Sequence, residues 1–140
     1  MTISRLSEKL YISPQVGPAD AAEAAKLGIR SVICNRPDGE EPGQPSAEQA
    51  TAWFAEAGIT SFHHQPVLAP QINADDARRF AEQLAAVDGP VLAYCRTGTR
   101  SSLLWAIGQA ENGRQANELI AEIQQKTGLD LSPFAGKLLS

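Results

Sequence analysis

The order of apolar and polar positions predicts alternating strands and helices. Residues 10–13 read as a short strand closed by Pro14. Gly17-Pro18 sets a proline at the start of a helix, where its missing N–H costs nothing. That helix runs over 19–27 and stops at Gly28. Residues 29–34 (Ile-Arg-Ser-Val-Ile-Cys) form a buried strand, and 35–45, with three prolines and two glycines, a loop. Ser46-Ala47-Glu48-Gln49 is a capping box opening a helix with Ala50, Trp53, Phe54 and Ala57 inward, ended by Gly58. Residues 59–63 follow as a strand and 66–72 as an irregular stretch. Asn73 caps a helix whose inward face is Ala77, Phe80, Ala81, Leu84 and Val87, spaced three and four apart, and Asp88-Gly89 breaks it. Residues 90–94 are an apolar strand, 95–100 a loop, and 101–111 a helix with Leu103, Leu104 and Ile107 inward, ended by Asn112-Gly113. Leu119, Ile120 and Ile123 mark a last helix to Gly128, and the tail 129–140 packs back on the domain. Such alternation predicts an α/β domain with a largely parallel sheet.

A chain of 140 residues at 43% hydrophobic content suits one domain over 1–140 with a real core. Its net charge of −4 argues against nucleic acid as a partner, which needs a basic face. No stretch approaches the roughly 18 apolar residues of a membrane span. The opening Met1-Thr2-Ile3-Ser4-Arg5-Leu6 lacks the apolar run of a secretion signal, so the predicted location is cytoplasmic. A cytosolic domain of this size needs no disulfide, so Cys34 and Cys95 are each explained by their own surroundings.

Cys95 has the surroundings of a nucleophile. A buried strand ends in Cys95, a short loop Arg96-Thr97-Gly98-Thr99 follows, and Arg100-Ser101 opens a helix. Backbone N–H groups at a helix N-terminus lack intrahelical partners and, with the helix dipole, form an anion site. A tight loop aims further N–H groups at one centre. Gly98 permits a twist that a side chain would resist, and Arg100 adds a forked permanent cation suited to oxyanions. Cys95 and Arg100 are therefore the expected catalytic pair, with Arg96, Thr97, Gly98, Thr99 and Ser101 lining the anion loop.

The stretch Tyr94-Cys95-Arg96-Thr97-Gly98-Thr99-Arg100-Ser101 looks like the signature loop of cysteine-dependent phosphatases of the dual-specificity type. The whole chain resembles the phosphatase-like domain of beta-lactamase-hydrolase-like proteins, through Ile33-Cys34-Asn35-Arg36-Pro37-Asp38-Gly39-Glu40-Glu41 and His63-His64-Gln65-Pro66-Val67 as well. This resemblance implies a three-layer, tyrosine-phosphatase-like fold with about four mostly parallel strands flanked by helices. It implies a phosphatase or a sulfurtransferase, and as a partner a metallo-hydrolase-like persulfide dioxygenase, to which the family's domain is fused in some proteins. Phosphatase loops place five residues between cysteine and arginine; here there are four, a length similar to rhodanese loops, whose cysteine carries a persulfide. A shorter loop makes a smaller bowl. The stretch 66–72, where this fold usually keeps the acid that protonates a leaving oxygen, has none. Asp75 and Asp76 beyond it read as helix-start residues. The expectation is therefore a rhodanese-like sulfurtransferase that takes sulfane sulfur from a small anionic donor onto Cys95 and yields it to a thiol acceptor. A phosphatase acting on a phosphorylated anion through a phosphocysteine is the alternative, and a non-catalytic anion-binding or thiol redox-sensor module the second.

Ser101 stands where phosphatases keep a hydroxyl that bonds the cysteine sulfur, and serine is equally favoured as a helix-start residue. Arg36 and Asp38 follow a strand and should reach the same sheet edge as Cys95. Arg36 could hold a second anionic group, and Asp38 could orient an arginine or act as a substitute acid, although Pro-Asp-Gly is also a turn. Cys34 reads as core, or as a resolving thiol if the fold brings it near Cys95. Glu40-Glu41 reads as solvated loop. His63 and His64 are adjacent on a strand, point to opposite faces and do not make a metal site. No cofactor is implied. The loop predicts that Cys95 is ionised at neutral pH. Alkylation followed against pH should show the sulfur reacting at full rate near neutrality; a rate that climbs only in alkaline buffer would refute this.

Overall fold

The computed structural model of the protein describes residues 3–139. Its core is one five-stranded sheet in the order β1-β2-β5-β3-β4. The strands are β1 Ser4–Arg5, β2 Leu10–Ser13, β3 Ser31–Cys34, β4 Ser61–His64 and β5 Val91–Tyr94. The last four are mutually parallel, and β1 runs antiparallel to β2 at the edge. The four parallel strands are those expected, and β1 adds an antiparallel edge. β1 is two residues long, too short for an alternating pattern, and exists because its chain turns back at Leu6, whose N–H reaches Leu10 O at 2.9 Å.

Helix α1 (Pro18–Lys26) connects β2 to β3, and α2 (Ala47–Glu56) connects β3 to β4. Both pack on one face, over Val32, Cys34, Leu92 and Tyr94. The chain then reverses: α3 (Ala74–Ala85) carries it back to β5 in the middle of the sheet. Parallel crossovers are right-handed, so a reversal of direction puts the next helix on the opposite face. That face holds Ile33, Val91, Ala93, Phe80 and Leu103, covered by α3, α4 (Thr99–Glu111) and α5 (Ala116–Thr127). The result is three layers, with β5 at the centre and the C-terminal end of β5 at the switch point, where open α/β sheets bind ligands.

The predicted caps are present. Ser46 Oγ accepts from Gln49 N–H at 3.1 Å, and Asn73 Oδ1 from Asp76 N–H at 3.0 Å. Leu131 and Leu138 of the tail are buried on the α4 and α5 side. Helix α4 begins at Thr99, two residues earlier than predicted, because Gly98 takes φ +96° and closes the loop in one step. Arg100 therefore already belongs to the first turn. Seven consecutive residues, Ser101 to Ile107, are buried, since α4 lies between the sheet and two other helices. Among the described residues, no helix is long and apolar enough to cross a membrane.

Ser102 Oγ is buried without a hydrogen-bond partner among the described residues. An orphaned buried hydroxyl costs about 1–3 kcal/mol. Ser102→Ala should therefore raise stability by about 1 kcal/mol, read as a higher midpoint in denaturant melts. A drop in midpoint would show that the hydroxyl is satisfied.

Candidate active site

Strand β5 delivers Cys95 to the centre of the C-terminal edge, and the loop to α4 bends back over it. Cys95 is fully buried, and Gly98 N–H donates to its Sγ at 3.1 Å. The bend depends on glycine. A Cβ at Gly98 would sit 3.0 Å from Ile12 Cγ2 and 3.2 Å from Leu129 Cδ1, in a backbone region that L-residues avoid. The other loop groups are also engaged: Thr99 N–H reaches Thr97 Oγ1 at 3.4 Å, and Arg96 O accepts from Gln15 N–H at 3.2 Å. Because the sulfur has no exposed surface, a reagent reaches it only when the side chains around it part.

Arg100 has five N–H donors, and their allocation is informative. Its Nη1 donates to Glu40 Oε2 at 2.8 Å and to Val67 O at 3.0 Å, and its Nη2 to Glu40 Oε1 at 2.9 Å. Glu40 thus takes the end-on fork. The Nε–H and the second Nη2–H lie together on the side-on edge, away from Glu40. The guanidinium stands against Cys95. Its pKa is raised chiefly by the bond to Glu40, with the Cys95 sulfur adding to it. Glu40 responds in kind: the Arg100 bond, helped by Arg36, holds its carboxyl down at about 2.

The loop 37–44 is tied over this centre by charge. Arg36 is 3% exposed and spends every guanidinium nitrogen inside the protein: Nε on Glu40 Oε1 at 2.9 Å, Nη1 on Gln15 Oε1 at 2.9 Å, and Nη2 on Glu41 Oε1 at 2.6 Å. Arg96 Nε donates to the same Glu41 oxygen at 2.9 Å. Glu40 and Glu41 are exposed loop residues, as the sequence suggests, and their carboxylates also pair with the arginines of this edge. Their pairing signal, an arginine four and five positions earlier, is visible in the sequence, but their partners across the fold are sixty positions away for Glu40 (Arg100) and fifty-five for Glu41 (Arg96).

The remaining predicted residues are distributed as follows. Arg36 shares the sheet edge with Cys95, but its donors point to Glu40, Glu41 and Gln15. Asp38 accepts from Ala47 N–H at 2.8 Å and so secures the start of α2, with no arginine on it. Ser101 Oγ donates to Asn35 Oδ1 at 2.7 Å, and Asn35 in turn donates to Gln65 O at 3.0 Å, a buried tie between the β3, β4 and β5 edges that the sequence does not reveal. Cys34 belongs to the face covered by α1 and α2, its thiol donates to Arg36 O at 3.4 Å, and burial pushes its pKa up. That is a core thiol. His64 Nε2 donates to Arg36 O at 2.8 Å, while His63 stands 3.5 Å from Ser61 Oγ. No cluster of three or more His, Cys, Asp or Glu that could hold a metal ion exists among the described residues.

Residues 2–112 match the family model for the phosphatase-like domain of beta-lactamase hydrolase-like proteins. The chain belongs to this family. Curated relatives named beta-lactamase hydrolase-like protein are 37% identical in Agrobacterium fabrum and 36% in Xylella fastidiosa, each over 131 residues or 94% of this chain. The chain spans only 30% of the length of those relatives. The crystal structure of a phosphatase candidate from Neisseria meningitidis is 47% identical, with a TM-score of 0.95 over 99% of this chain and 97% of that one. P. aeruginosa TpbA, crystallised with pTyr, shares the fold at 21% identity, with a TM-score of 0.74 over 96% of this chain and 80% of its own. The family domain therefore has a cysteine-phosphatase-like fold, with Cys95 and Arg100 at the edge where that fold binds ligands.

Glu40→Gln should lower kcat/KM of any Cys95-dependent reaction by up to about a hundredfold, because Arg100 loses its fixed direction. It should also change the acid limb of stability. A carboxyl near 2 when folded and 4.5 when free stabilises fully above 4.5, and that contribution fades as pH falls toward 2. Melts of the variant should lose less stability than wild type across that window. An identical acid limb would remove Glu40 from the linkage.

Proposed function

We propose that this protein is a cysteine-dependent phosphatase-type hydrolase. Cys95 Sγ attacks a phosphoryl group, Gly98 N–H steadies the sulfur, and the side-on edge of Arg100 holds two non-bridging oxygens. The phosphoryl group rests on sulfur as a phosphocysteine until water removes it. The observation that carries this reading is the placement of Arg100: one fork is locked onto Glu40, and the guanidinium stands against the Cys95 sulfur. The near-complete match to the Neisseria meningitidis phosphatase candidate supports the same reaction class. The rhodanese-like expectation finds no such support among the relatives, whose names carry phosphatase and not sulfur-transfer terms.

One observation favours sulfur transfer as a second reading. Four residues between Cys95 and Arg100 make a tighter cup than a five-residue loop. A sulfane-sulfur donor such as thiosulfate would leave one sulfur on Cys95 as a persulfide for a thiol acceptor, and a persulfide dioxygenase would be a fitting partner. One preparation tests both. Given p-nitrophenyl phosphate, wild type should release phenolate and phosphate. Cys95→Ser should reduce this by at least about 10⁴-fold, and Arg100→Lys by about 10²–10³-fold through the lost fork. Thiocyanate formed from thiosulfate and cyanide, dependent on Cys95 and without phosphate release, would replace the first reading with the second. One residue inserted after Gly98 should move activity toward phosphate if loop length sets the choice.

A further inference from the structure

The carboxylates of Asp38, Glu40 and Glu41 and the His64 imidazole are each committed to a structural bond. Glu40, the carboxylate on Arg100, is shared by two guanidinium groups and stays ionised. Glu41 accepts from Arg36 and Arg96. Asp38 accepts from Ala47 N–H. His64 Nε2–H is spent on Arg36 O.

Val67 O binds Arg100 Nη1, and Val67 lines a cleft of about 430 Å³ together with Pro37, Pro66, Leu68 and Asp76. Asp76 is its one acidic wall. Asp76 Oδ2 accepts from Asn73 N–H at 3.1 Å, and Oδ1 lies 3.7 Å from Arg79 Nη2, so this carboxylate holds the first turn of α3. All five groups act as acceptors or have placed their proton on a carbonyl in structural bonds.

Resting on the phosphatase reading, we infer that this centre selects substrates whose leaving group departs as an anion without being protonated. The chemical class is phosphoryl esters and anhydrides of acidic oxygens: aryl phosphates, acyl phosphates and phosphoanhydrides, but not alkyl phosphates such as phosphoserine. In the first step the S–P bond forms, the P–O bond breaks, and its electron pair leaves with the oxygen as phenolate or carboxylate. In the second, water attacks phosphorus, the S–P electron pair returns to sulfur, and the water proton leaves with inorganic phosphate. Neither step draws a proton from the protein, and no oxidant or reductant is involved.

The test is kcat/KM across aryl phosphates from dinitrophenyl to unsubstituted phenyl, with an alkyl phosphate added, for wild type, Asp76→Asn and Asp38→Asn. Both variants keep an oxygen acceptor for the capping bonds. The rate should fall steeply as the leaving group becomes more basic, and the alkyl ester should be at least about a hundredfold slower than the phenyl ester, the least that a positioned acid supplies. The slope should be the same in all three proteins. A flat series, or a slope that steepens in either variant, overturns the inference while leaving the phosphatase reading in place. No phenolate from even the dinitrophenyl ester, in protein whose Cys95 still alkylates, overturns the phosphatase reading and this inference with it.

Discussion

A guanidinium can steady a reacting anion only if it is held still, and here the two-pronged bridge from Glu40 to Arg100 does the holding. Arg100 sits in the first turn of α4, a helix packed on nearly all sides, so its backbone is fixed. Its long side chain is not fixed by that alone. Glu40 takes one edge, Val67 O takes a further proton, and Arg36, itself buried, stops Glu40 from swinging away. An isolated surface bridge contributes little. This one gains from low exposure, bidentate geometry and a second cation sharing one of its oxygens. The cost of gathering that much charge is met by pairing three arginines with two glutamates across the same edge.

The sheet topology explains why these groups can meet. The strand carrying Cys95 is last in sequence among the parallel strands yet central in space, flanked by β2 and β3. Its C-terminal end therefore receives loops from both sides: Gln15 after β2, Arg36 through Glu41 after β3, and Val67 beyond β4. Asn35 and Ser101 lock two of these edges together beneath the site. Right-handed crossovers that first advance and then reverse produce this convergence. Side-chain alternation along β3 and β5 puts Cys34 and Tyr94 on the face opposite Ile33 and Ala93, which accounts for Cys34 being a packed thiol.

The short loop and the committed acids point to one chemical theme. On the phosphatase reading, a tight cup with one N–H on sulfur and a guanidinium beside it would steady an anion and do little to help a poor leaving group. That profile is compatible with phosphoryl transfer from acidic oxygens and also with sulfur transfer, in which sulfite leaves as an anion. The family relationship and the full-length match to the Neisseria meningitidis protein weigh toward phosphorus.

Local physics was readable along the chain. Helix caps at Ser46 and Asn73, proline at the head of α1, and the strand–cysteine–glycine–arginine order that makes Cys95, Gly98 and Arg100 the candidate site each depend on residues within a few positions of one another. What escaped the sequence were pairings across distance. β1 has no pattern of its own and exists through β2. Ser101 turned to Asn35, sixty-six positions away, and Glu40 to Arg100, sixty away. Asp38 settled on the start of α2, nine positions on. A side chain's choice among polar partners is made by which loops the sheet order brings together, and no local spacing encodes that order.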